Sequence, residues 1–329
     1  GIVPEIYEAF SATKGLAEDK HLLDLQKKLG EDCSQPNHRK ICRPFGENIG
    51  MSLGESAQFV ILMADELAIK LGLNIHGSAL ASHINADGYK KSISGPGAGN
   101  YLTVGKCLNQ IENYFGKEAL NKTFFHAHGT STPQNRESES HIISSLAKAF
   151  NINALPVTAI KSYLGHSLAA AGGDQIISAL GSWKNNWIPG ITSTPALAED
   201  VYSENLNFLL KNLEFNDANF DFAILNAKGF GGNNGTALIA SPNKTMKMLE
   251  VKHSTETIKK YYPKNEKIQK KLEVEKINIL SGEIKSRYMF GEDVINGLTD
   301  FQIEKNQIVN KVTDEKFSLD STLPYKDFL

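Results

Sequence analysis

The sequence predicts a mixed α/β fold built of stacked layers, and three observations carry that prediction. From residue 57 onward, short β-branched or aromatic runs alternate with amphipathic stretches. Turn-rich segments at 85–88, 92–100 and 229–232 separate them. The composition, 41% hydrophobic and 22% charged over 329 residues, supports a sizeable core and excludes disordered, collagen-like and disulfide-scaffold chains.

Taken in order, Ala57 to Ala64 holds the longest apolar run, Phe59–Ala64, and reads as a buried strand. Asp65–Leu71 reads as a short helix and Asn74–Ile84 as a second strand, closed by the turn Asn85-Ala86-Asp87-Gly88. The loop Ser92–Asn100 is too glycine-rich for either element. A helix follows from Tyr101 to Phe115, with Leu102, Leu108 and Ile111 on its apolar side and Gly116 as its stop. Next come a strand (Thr123–Ala127), a helix (Arg136–Phe150), a strand (Pro156–Ile160) and a helix (His166–Trp183). In that last helix Ala169-Ala170-Ala171-Gly172-Gly173 are all small, and a mid-helix glycine costs about 1 kcal/mol against alanine. Some neighbour must press close against it. Phe222–Ala227 and Thr236–Ala240 form a hairpin pair around Gly229-Phe230-Gly231-Gly232.

After Pro242 the composition changes, with ten Lys against five Glu between Lys244 and Lys276. The expected organisation is therefore a body, residues 1–242, and a basic helical segment with a C-terminal extension, residues 243–329, packing on it. The null expectation for that segment is a solvated helix face.

Charge and cysteine usage narrow the function. Lys plus Arg number 35 against 37 Asp plus Glu, so no polycationic face for nucleic acid is implied. A six-residue apolar run is far short of the roughly 18 that suggest a membrane helix. Cys33, Cys42 and Cys107 form no CxxC pair, which favours reduced thiols and a cytoplasmic protein. The opening Gly1-Ile-Val-Pro has neither a basic nor an apolar leader segment and reads as though begun within a domain.

Two turns carry the chemistry. Phe124-Phe125-His126-Ala127-His128-Gly129-Thr130-Ser131-Thr132-Pro133 takes a strand end into a His-Gly turn rich in hydroxyls, and Lys161-Ser162-Tyr163-Leu164-Gly165-His166-Ser167 is a tighter version. In each, a glycine lets the backbone turn sharply beside an imidazole. Two such histidines imply a paired site. His166, read at a helix N-terminus, would be kept neutral by the positive end of the helix dipole. His126 and His128 have x-His-x-His spacing, but no carboxylate or cysteine cluster supports a metal.

With these residues in view, the chain resembles the β-ketoacyl-[acyl-carrier-protein] synthases, condensing enzymes of the thiolase superfamily. The resemblance rests on His128-Gly-Thr-Ser-Thr-Pro, Lys161-Ser-Tyr-Leu-Gly-His166, Asn226-Ala-Lys-Gly-Phe230-Gly-Gly-Asn-Asn, and the earlier Arg43-Pro44-Phe45 and Leu53-Gly54-Glu55-Ser56-Ala57. It implies a thiolase-like αβαβα fold, of which this chain supplies mainly the C-terminal half plus an appended tail. It also implies decarboxylative condensation of malonyl-ACP with an acyl-CoA or acyl-ACP primer, a homodimer, and no cofactor or metal. His128 and His166 would donate hydrogen bonds to the malonyl thioester carbonyl. Lys161, paired with Glu139, would hold the histidines and the local charge. Thr130 and Thr132 would bind the pantetheine arm, with the 94–99 loop at its entrance, and Phe230 would gate the acyl pocket. The family's nucleophilic cysteine would fall some tens of residues before Gly1, and none of the three cysteines present lies in such a motif.

Two departures stand out: Gln134-Asn135-Arg136 where many members have Gly-Asp, and Ala227-Lys228 where they have Ser-Phe. The first, with the long tail, is similar to the longer bacterial synthases that prime fatty-acid synthesis. The alternatives are a non-catalytic, chain-length-factor-like partner subunit, which typically lacks the histidines, and a degradative thiolase, which replaces one histidine with a second cysteine.

Overall fold

A computed structural model describes residues 2–88, 97–216, 220–283 and 295–320. The chain divides into two compact units, residues 1–268 and 269–329. The first opens with α1 (Pro4–Ala12), α2 (Asp19–Lys28) and α3 (Asp65–Leu71), followed by β1 (Ser78–Ala86) and α4 (Ala98–Phe115). Then come β2 (Thr123–His126), α5 (Pro133–Ala149), β3 (Leu155–Thr158), the single turn α6 (Lys161–Leu164) and α7 (Ala171–Asn185). The two-residue strands β4 (Trp187–Ile188) and β6 (Leu213–Glu214) pair with each other, while β5 (Leu206–Phe208) joins the main sheet. The hairpin β7 (Phe222–Gly229) and β8 (Asn233–Ala240) leads into α8 (Pro242–Lys252) and α9 (Thr255–Leu280).

The six-stranded sheet has the order β1-β8-β7-β2-β3-β5. β7, β2, β3 and β5 run parallel, and β8 and β1 add an antiparallel edge. Because side chains alternate along a strand, each face of the sheet builds its own core. Phe125, Phe222, Ile224 and Leu238 meet Val104, Leu108 and Ile111 of α4 and Ile143 of α5 on one face. Phe124, Ala223, Leu225 and Ile239 meet Ala179 and Trp183 of α7 on the other. Helix, sheet and helix thus stack as three layers, in keeping with the layered α/β fold expected.

Several local expectations change. Residues 57–64 form no strand, and Phe59 and Ile61 are 94% and 85% exposed. An apolar run is buried as a strand only where a neighbouring strand takes its backbone groups, and no described segment pairs with this one. The helix expected from His166 begins at Ala171, after a 3₁₀ turn at Leu168–Ala170. The neighbour pressed against its small residues is Gln58: a Cβ on Gly173 would collide with its side chain, whose amide bonds Asp174. Of the glycine-rich loop, residues 92–96 lie outside the described residues.

The composition break at 242 does not coincide with the division into compact units after Ile268. α8 is capped by the Ser241 hydroxyl, and Leu249, Ile258 and Tyr261 pack with Ile69, so the residues just past 242 share a core with α3. The second unit holds the end of α9 and a three-stranded antiparallel sheet, β9 (Phe301–Ile303), β10 (Gln307–Asn310) and β11 (Lys316–Ser318), with β10 central.

Candidate active site

β2 and β3 are parallel neighbours, with His126 opposite Thr158, so the turns after them leave the same end of the sheet. The turn after β2 passes through Gly129 at φ +50°, where a Cβ would lie 2.6 Å from that of Ala159. The turn after α6 passes through Gly165 at φ +70°. There the backbone zips to the earlier motif: His166 N–H donates to Ser52 O (2.7 Å) and Gly54 N–H to His166 O (3.0 Å). A Cβ on Gly54 would overlap the carbonyl oxygen of Leu164, which explains the glycine at that place in the Leu-Gly-Glu-Ser motif.

These turns set the rings of His128 and His166 edge to face, 5.3 Å apart at 85°. His166 Nδ1 accepts the Leu168 N–H at 3.1 Å, which leaves its Nε2 as the protonated donor. Leu168 holds that position with a left-handed φ of +56°.

His128 is held through its peptide groups. Glu139, fully buried on α5, accepts His128 N–H (2.7 Å) and Asn226 Nδ2–H (2.8 Å) on Oε1. Its Oε2 accepts Gly129 N–H (2.9 Å) and Asn135 Nδ2–H (2.9 Å). Four donors stabilise a carboxylate that burial would otherwise disfavour. Lys161 Nζ donates to His128 O at 2.7 Å. The expected direct pairing of Lys161 with Glu139 is thus replaced by a shared grip on one peptide turn. Glu139 still acts on Lys161 as a charge, partly offsetting the burial that lowers its pKa to about 8.

Burial, then the Lys161 charge, brings His166 down to about 3, and the same two causes lead for His128, which lies well below the ordinary histidine value. His166 and Lys228 add to the effect on His128. Both imidazoles are neutral near pH 7. The neutrality of His166 was expected from a helix dipole; with α7 beginning five residues after it, burial is the leading cause. His126 Nε2 lies 3.0 Å from Ser178 Oγ on α7, away from the pair's edge-to-face contact, so the x-His-x-His spacing builds no shared ligand set.

Thr130 Oγ1 and Thr132 Oγ1 meet at 3.1 Å on the turn past His128. Phe230 is 55% exposed at the tip of the β7–β8 hairpin, with its ring 5.7 Å from that of Phe10 on α1. Ser131 Oγ accepts the Arg43 N–H at 2.6 Å, tying the Arg-Pro-Phe segment to the histidine turn. Cys42 and Cys107 are buried, which pushes both thiols up to about 12, and Cys33 is exposed. Sequence reasoning missed the buried amides. Asn226 exchanges hydrogen bonds with Asn100 (2.7 and 3.2 Å), and Gln175 Nε2 donates to Ala127 O (2.9 Å) and Asn226 O (2.8 Å), joining β2 to β7. Asn226 opens a motif and was legible as a position; its role in holding Glu139 was not.

Residues 76–194 match the model of the β-ketoacyl synthase C-terminal domain. The β-ketoacyl-[acyl-carrier-protein] synthase FabY of Pseudomonas aeruginosa is 42% identical over 296 residues, covering 90% of this chain and 46% of the relative. A crystal structure of the noncanonical ketosynthase FabY from P. aeruginosa superposes with a TM-score of 0.90 at 38% identity, over 99% of this chain and 50% of that one. A 3-oxoacyl-[acyl-carrier-protein] synthase 2 of Coxiella burnetii is 28% identical over 61% of this chain and 47% of its own length. The chain spans about half the length of these relatives. By its motifs, its layered fold and this likeness, the chain belongs to the β-ketoacyl synthase family of the thiolase superfamily.

Proposed function

We propose that these residues form the decarboxylation half of a β-ketoacyl-ACP synthase, an acyltransferase of fatty-acid synthesis that extends an acyl primer with malonyl-ACP. The observation that carries this reading is the pair of neutral imidazoles 5.3 Å apart, His128 buried and His166 half-buried, the latter with its Nδ1 already occupied and its Nε2–H free to donate. Two such donors converge on a thioester carbonyl oxygen and stabilise the negative charge it gains. The bond from the α-carbon to the carboxylate breaks, CO₂ leaves, and its electron pair becomes the enolate. The enolate carbon then attacks the acyl thioester, and a thiolate departs.

Neutral rings suit this step, since a protonated imidazole would bind the malonyl carboxylate and favour the ground state. Lys161 and Glu139 act as positioning groups, fixing the peptide that carries His128. Thr130 and Thr132 offer hydroxyls to the pantetheine arm, and Phe230 gates the acyl pocket. None of the three cysteines is assigned as the acyl carrier: two are buried with raised pKa values, and Cys33 is exposed and outside any nucleophile motif. Acyl carrier protein is the partner, and the working form is a cytoplasmic homodimer.

The test is malonyl-ACP decarboxylation by the full-length protein carrying His128→Ala or His166→Ala. Each should lower the rate about 10²-fold to 10³-fold. Near-wild-type rates in both would overturn the assignment.

A further inference from the structure

Asp174 is a buried carboxylate that the mechanism above leaves without a use. It stands in the first turn of α7, where the positive end of the helix favours an anion, and its two oxygens have separate partners. Oδ1 accepts the side-chain amide of Gln58, and Oδ2 accepts the hydroxyl of Ser167, seven residues back along the chain. Ser167 lies between His166 and Leu168, the residue whose N–H occupies His166 Nδ1 at 3.1 Å.

The chain brings that N–H back to the ring by turning through Leu168 at φ +56°, a left-handed conformation that disfavours any residue with a Cβ. Such a conformation persists only where the surroundings over-determine it. On the near side, the peptide groups of His166 are bound to Ser52 and Gly54. On the far side, Ala170 N–H closes a 3₁₀ turn on Ser167 O at 3.2 Å. A side chain then fastens this turn to α7: the Ser167 hydroxyl, seated on a carboxylate, the stronger class of acceptor.

Building on the function proposed above, we propose that Asp174 is a positioning residue of this site: its grip on Ser167 holds the left-handed turn at Leu168 and so keeps the proton of His166 on Nε2, the nitrogen that donates to the thioester. The ring itself is held by backbone, and Asp174 holds that backbone. Gln58, on the other oxygen, steadies the carboxylate from the segment that precedes α3.

Four variants separate this grip from general packing. Asp174→Ala removes the acceptor, Ser167→Ala removes the donor, Ser167→Thr keeps the hydroxyl, and Gln58→Ala frees the other oxygen. The first readout is the imidazole ¹⁵N spectrum of His166 at pH 7, which reports which nitrogen carries the proton and needs no turnover. The second is malonyl-ACP decarboxylation by the full-length protein. In Asp174→Ala and Ser167→Ala the His166 signals should move from the Nε2–H tautomer toward a mixture of the two, with those of His128 unmoved. In both, kcat should fall about tenfold to a hundredfold while KM stays within about twofold, and Ser167→Thr should keep the wild-type spectrum and rate. A wild-type His166 spectrum in either folded Ala variant would overturn the inference whatever the activity. An equal shift in Gln58→Ala would also overturn it, by making the effect one of loosened packing around α7. A displaced tautomer in a protein whose wild type has no decarboxylase activity would uphold the positioning role and remove the functional reading instead.

Discussion

The two histidine turns reach the same end of the sheet by opposite means. His166 is fixed by backbone: the N–H two residues on holds its Nδ1, and its peptide groups bridge to Ser52 and Gly54. His128 is fixed by side chains. Its peptide groups are bound by Glu139 and Lys161, and Glu139 in turn is bound by Asn135 and Asn226 from two further places in the chain. The comparison teaches that one ring depends on backbone fit and the other on a buried polar network. Their failures should therefore differ in kind.

The largest difference is expected at Glu139. Glu139→Ala removes the acceptor for four buried donors and should cost roughly 3–5 kcal/mol of unfolding free energy, measured by urea denaturation. It should loosen His128 far more than His166. A loss under about 1 kcal/mol would show that the network does not hold that turn.

Gly54→Ala attacks the other turn. Its Cβ would meet backbone, which cannot swing aside as a flexible side chain can, so the Leu53–His166 bridge must open. The expected cost is about 2–3 kcal/mol, with the His166 ring resonances displaced and those of His128 retained. Displacement of both together would mean that the turns are one unit.

A pH dependence is common to both regions. His166 and the neighbouring His126 are each lowered to about 3 by burial first, against an ordinary value near 6.5. Between those values the unfolded chain binds more protons than the folded one, so stability is retained above about pH 6.5 and falls as pH drops toward 3. His126→Gln should flatten that decline in a denaturation series from pH 7 to 4. An equally steep decline would place its origin elsewhere.

The parts of the site legible in the sequence were those written in contiguous residues. His128-Gly129 and Gly165-His166 announce sharp turns because only glycine takes their positive φ cheaply, and the structure puts both glycines there. Five strands of the six-stranded sheet were legible from their apolar runs, β5 was not, and the alternation of strands and helices gave the layers. What escaped were relations across the chain. The four donors on Glu139 come from residues 128, 129, 135 and 226, a convergence no local pattern encodes. Helix α2 buries Leu22, Leu25 and Gln26, an i, i+3, i+4 stripe that is written in the sequence and was not read from it. The origin of histidine neutrality was misjudged for the same reason: a dipole can be inferred from neighbours in sequence, while burial depends on everything else.

The exposed run Phe59–Met63 has a consequence for the behaviour of these 329 residues in the tube. Five consecutive large apolar side chains, uncharged and free of proline, stand exposed outside any strand. Two copies meeting there can pair edge to edge, and a third can join them without any closing symmetry. Self-association of these 329 residues is thus expected to depend on one pentapeptide, with light scattering that rises with concentration and falls when a charge is placed in the run.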